Sequence, residues 1–70
     1  MNNQVFAERI KYLRAEKGIG QVELAKNLGV SKGNISYWER GLKEPSMHSL
    51  IQLAKFFGVT IDYIVGLSDD

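Results

Sequence analysis

Apolar residues recur along this chain at helical spacing, and no stretch alternates with the two-residue period of a strand. Phe6, Ile10 and Leu13 fall at i, i+4 and i+7, which predicts an amphipathic helix from about Val5 to Lys17. Leu24, Ala25 and Leu28 predict a second helix from Gln21 to Leu28, started by Gly20, which offers no side-chain oxygen as a cap. Ser31 is a good cap for a third helix running to about Arg40 and burying Ile35 and Trp38. Pro45-Ser46 announces a fourth, with Met47, Leu50, Leu53, Ala54 and Phe57 as its core residues. Thr60 caps a short fifth helix, Ile61–Val65, with Asp62 favourably placed in its first turn. Gly18, Gly29, Gly41, Gly58 and Gly66 each follow an apolar-periodic stretch, where helices stop. The expected fold is all-α: one compact five-helix domain over residues 1–70.

Within it, the segment from about 21 to 40 reads as two short helices joined by a tight turn at Gly29, with Val30 as the plug. Both helices send their apolar residues into one core. The second leaves Lys32, Gly33, Ser36, Tyr37 and Arg40 facing outward. That division is the geometry that lays a helix in a DNA major groove.

Composition narrows the reading by exclusion. Without cysteine there is no disulfide framework or thiolate site, and the lone His48 cannot assemble a metal cluster. No segment approaches the roughly 18 consecutive apolar residues of a membrane span. The polar start, MNNQ, is not a signal peptide. A cytoplasmic protein without cofactor is the expectation. The net charge of +1 says little, but its distribution says more. Residues 1–44 hold eight lysines and arginines against five glutamates, whereas 45–70 hold Lys55 against Asp62, Asp69 and Asp70. The basic half contains the helix pair.

The run QVELAKNLGVSKGNISYWERG, followed by EPS and LAKFFGVTIDYIVG, closely resembles the Cro/cI-type, or XRE, helix-turn-helix family of phage repressors. The resemblance extends from about Ile10 to Gly66. It implies a lambda-repressor-like five-helix domain that binds operator DNA, generally as a symmetric dimer. It further implies that Gln21 contacts a phosphate, and that Arg14 and Glu39 form a largely buried ion pair.

Phosphate contacts are expected from Gln21, Arg40 and Lys43, while Lys11 and Lys17 are expected to be solvated charges. Asn34 has an amide suited to adenine, yet it lies next to inward Ile35, so backbone contact or support of the helix start are its other readings. Base reading falls to Lys32, which can donate to guanine, and to Ser36 and Tyr37. Gly33 is the departure from the family, which often carries a base-reading side chain there. It either admits the backbone close to DNA or is mute. Trp38 is expected in the core and His48 in solvent.

A dimer reading a palindrome would draw on Ile51, Phe56, Tyr63, Ile64 and Leu67. Phe56 and Phe57 are adjacent, so one of them is expected to be exposed. No set of residues suits an enzyme. The competing reading is a protein-interaction module or antitoxin-type regulator, which would use the same bundle on a protein partner. The chain would be a repressor standing alone or the amino-terminal piece of a longer one.

Overall fold

A computed structural model describes all residues, Met1–Asp70, and contains five helices: α1 (Asn3–Lys17), α2 (Gln21–Leu28), α3 (Lys32–Glu39), α4 (Met47–Phe57) and α5 (Ile61–Val65). They pack into a body of 27 × 23 × 21 Å. α1 lies against both α3 and α5, so it is the axle joining the two halves of the chain.

Side-chain oxygens start four of the five helices. Asn2 accepts from the amides of Gln4 and Val5, Ser31 from Asn34, Ser46 from Ser49 and Thr60 from Tyr63. Each such cap is worth about 1 kcal/mol. α1 therefore begins at Asn3 rather than near Val5, because its cap lies upstream of the first apolar residue. α2 alone begins without a side-chain cap, at Gly20.

The core is Phe6, Ile10, Leu13, Leu24, Ala25, Leu28, Ile35, Trp38, Leu50, Leu53 and Ile64. Phe6 meets Trp38 edge-on, with centroids 6.1 Å apart, so Trp38 is a core residue as its spacing predicts. Burying side chains of this size is worth about 1.5–3 kcal/mol each, the main drive for a domain this small.

Three expectations are corrected. Met47 is not core; it is 64% exposed, since Leu50 and Leu53 take the inward side of α4. Ile64, expected at a dimer interface, is fully buried in the monomer's own core. Neither Phe56 nor Phe57 is left in solvent: both are half-buried and packed edge to face at 5.0 Å, and the Lys17 ammonium lies over the Phe56 ring. Tyr63 is likewise half-buried, beneath the Arg9 guanidinium. Of the five candidate interface residues, only Ile51 and Leu67 count as exposed.

Arg9 gives the carboxyl-terminal end its anchor. Its guanidinium donates to the Tyr63 carbonyl and, at 2.5 Å, to the Ser68 carbonyl, and lies 3.6 Å from the Asp69 carboxylate. The chain must turn sharply between these acceptors. Gly66 makes that turn at φ 89°, and a Cβ on it would lie 2.9 Å from the Val5 side chain. Only glycine fits there.

Candidate nucleic-acid interface

The helix pair is closed by its turn. The amides of Gly29 and Val30 donate back into α2, and Ser31 then caps α3. α3 turns Ile35, Trp38 and Glu39 inward. Lys32, Gly33, Tyr37 and Arg40 are exposed, and Asn34 and Ser36 are half-buried between the two faces. Four of the five residues expected on the outward face are exposed; Ser36 lies half-buried at its edge. The backbone N–H of Asn34 donates to Ser31 Oγ at 3.1 Å, a cap bond independent of its side chain.

Gly33 is not a packing requirement. A Cβ there would meet only Ser31 Oγ, at an ordinary 3.7 Å. The protein itself therefore leaves room for a side chain at this position.

Behind α3, Arg14 and Glu39 form the expected ion pair. Arg14 Nε and Nη2 donate to the two carboxylate oxygens at 2.7 and 2.9 Å, and Nη1 donates to the Ile19 carbonyl at 3.0 Å. The Glu39 side chain is only 5% exposed. Hydrogen bonding to Glu39 raises the Arg14 pKa above its ordinary value, outweighing the opposite pull of burial. The fork-to-fork geometry is the strong form of a charge-assisted bond.

The same carboxylate holds Gln21, whose Nε2 donates to Glu39 Oε1 at 3.0 Å. Sequence spacing contains no signal for that bond. Gln21 thus stands oriented at the start of α2, where the helix has no side chain of its own to satisfy its first N–H groups.

At the far end of α3 the chain reverses. Gly41 takes φ 72°, its amide donates to the Trp38 carbonyl, and the Leu42 amide donates to the Tyr37 carbonyl at 2.9 Å. This left-handed closure brings Lys43 back toward Tyr37. Arg40 Cζ lies 5.3 Å and Lys43 Nζ 5.7 Å from the Tyr37 ring centroid.

On another part of the surface, Met1, Met47 and Leu67 border an apolar groove of about 480 Å³ floored by Leu50, Ile61 and Val65. No helix is long and apolar enough to cross a membrane.

A family profile described as helix-turn-helix matches residues 10–64. Over 60 residues the chain is 45% identical to the HTH-type transcriptional activator BcrR of Enterococcus faecalis, covering 86% of this chain and 29% of that protein. It is 40% identical over 65 residues to Repressor protein C2 of Salmonella phage P22, covering 93% and 30% respectively. The chain thus spans less than a third of each of these two relatives. Among solved structures, the P22 c2 repressor in complex with a synthetic operator superposes with a TM-score of 0.81 at 39% identity, over 84% of this chain and 89% of that one.

Proposed function

We propose, for a chain that belongs to the Cro/cI-type helix-turn-helix family, that it is a sequence-specific double-stranded DNA-binding transcription regulator. The observation that carries this reading is the outward face of α3, polar and basic, backed by a buried network and free of packing duties. α3 enters the major groove, with Lys32 and Ser36 at base edges and Gly33 silent. Gln21 and the uncapped start of α2 take one backbone phosphate, since a helix N-terminus offers both N–H donors and a favourable dipole. Arg40 and Lys43 take phosphate at the other end of α3. This agrees with the likeness to a repressor solved on operator DNA.

Repression is the mode we assign, because occupying an operator suffices for it. A bacterial or phage-encoded regulator of this kind works in the cytoplasm, where its DNA is. The basic side chains around a polar stripe favour DNA over a protein partner, whose binding could dispense with them. Two copies bind a palindrome, in contact through the exposed apolar side chains of Met47, Ile51 and Leu67. The interface assigned from sequence thereby loses Phe56, Tyr63 and Ile64, keeps Ile51 and Leu67, and gains Met47.

The test is selection from randomised duplexes by the purified chain at about 0.1–0.15 M salt, a range in which phosphate contacts alone are partly screened. The expected product is a palindrome with half-sites about one helical turn apart. Salt-sensitive binding with no enriched sequence would remove the claim of specificity. Enrichment of a single half-site would remove the dimer.

A further inference from the structure

Tyr37 is the only ring in the molecule with two cations over it, and the acidic residues nearest to those cations in sequence are engaged elsewhere. Glu39 is turned inward and held by Arg14 and Gln21. Glu44 lies 3.9 Å from the amino terminus of Met1. None of the three ion pairs in the structure involves Arg40 or Lys43. Two positive charges drawn to one exposed ring, without a carboxylate between them, lack a counter-charge. We propose that Tyr37 is a positioning residue for the phosphate grip rather than a reader of bases: its ring gathers Arg40 and Lys43 into a paired-cation site for DNA backbone phosphate. This rests on the DNA-binding reading above.

The physical case has three parts. A free arginine or lysine side chain loses much rotamer freedom when it docks on a phosphate. A ring face within about 6 Å holds a cation through its quadrupole and removes part of that loss in advance. The turn at Gly41 explains why both cations reach one ring: it folds Lys43 back over the helix end, while Arg40 lies one turn of chain from Tyr37. The other two aromatic-cation contacts are different in kind. Arg9, over Tyr63, is already committed to two backbone carbonyls, and Lys17 stands alone over Phe56.

The experiment compares four chains with the wild type: Tyr37→Phe, Tyr37→Leu, the pair Arg40→Ala with Lys43→Ala, and that pair combined with Tyr37→Leu. Each is titrated with the duplex the wild type selects and with an unrelated duplex of equal length, over a range of salt. Circular dichroism confirms that each is folded, which is expected because all three positions are exposed. Tyr37→Leu should weaken binding to both duplexes by a similar factor, about tenfold, while the log–log salt slope should flatten by about 1–2 in the Arg40→Ala, Lys43→Ala pair, which removes the phosphate contacts themselves. Tyr37→Phe should retain the wild-type slope. On the doubly substituted background, Tyr37→Leu should change affinity by less than about twofold, because the groups it acts through are gone.

Proton spectra give a readout independent of DNA. Ring-current shifts on the Arg40 and Lys43 side chains should persist in Tyr37→Phe and vanish in Tyr37→Leu. Their absence from the wild type would overturn the proposal even if DNA binding is normal. So would a Tyr37→Leu effect confined to the selected duplex, or one undiminished on the double background. A wild type that binds no duplex while the ring-current shifts are intact would overturn the DNA-binding reading, and with it the phosphate role, while leaving the cation stack itself established.

Discussion

Two arginines of α1 each tie down a different end of the molecule, and they do so by different chemistry. Arg14 meets a carboxylate that is almost wholly buried, at the junction of α1, α2 and α3. Arg9 meets the backbone carbonyls of Tyr63 and Ser68, with Asp69 as an added charge fully in solvent. The first pair cannot lose Arg14 without stranding the Glu39 carboxylate in the interior. The second has its acid free to rehydrate and its carbonyls close to the surface. A buried charge pair is costly to break although it adds little over an apolar pair, whereas an exposed one is cheap to break. The DNA-facing half is therefore held all-or-none, and the α5 end by smaller, separable contacts.

Arg14→Met should show the contrast most strongly, lowering stability by about 3 kcal/mol or more in chemical denaturation, because the buried Glu39 carboxylate loses its counter-charge. An unchanged unfolding midpoint would abolish the distinction. Arg9→Met comes next: it removes charge-assisted bonds to carbonyls worth about 1.5–3 kcal/mol, and the faster amide exchange it causes should be concentrated in α5. Asp69→Asn should leave the midpoint where it is. The glycines sharpen the same contrast. Gly66→Ala, at positive φ and against Val5, should cost about 1–2 kcal/mol, while Gly33→Ala, in open helix, should add about 0.5–1 kcal/mol in thermal unfolding. The smallest effect concerns Tyr12, whose hydroxyl donates to Glu16 at 3.0 Å on the open face of α1. That hydrogen bond, with the charge of Glu16, raises the Tyr12 pKa above the usual tyrosine value. The folded state therefore keeps this proton to higher pH than the unfolded chain. Its contribution is present below the unfolded tyrosine pKa and is lost as pH rises through the folded one. Ultraviolet titration of Glu16→Gln should return Tyr12 toward its ordinary range.

The helices were legible because their signals are local. The apolar stripe of α1, the caps at Ser31, Ser46 and Thr60, and the inward Ile35 and Trp38 all sit where periodicity places them. Met47 and Ile64 depart from the sequence expectation for one reason. Helical spacing gives the face a residue occupies, but not whether another element covers that face, and only the packed structure shows that Ile64 of α5 turns inward while Met47, at the start of α4, stays in solvent. In the site, the outward face of α3 followed from spacing. The Arg14–Glu39 pair was foreseen only through the family resemblance, since nothing in local pattern links helix 1 to helix 3. The Gln21–Glu39 bond, the Arg9 anchor and the two cations over Tyr37 depend on long-range approach or on a chain reversal, and neither leaves a periodic trace.

The open space at Gly33 bears on how such a regulator diverges. A position on the proposed reading face where an added Cβ meets only ordinary contact separates the choice of target from the problem of folding. On the proposed placement of α3, a single codon change there would alter the target of one copy of a duplicated gene while the other kept the old. Two sister regulators in one cell would then cease to compete for each other's sites without either having passed through an unstable intermediate.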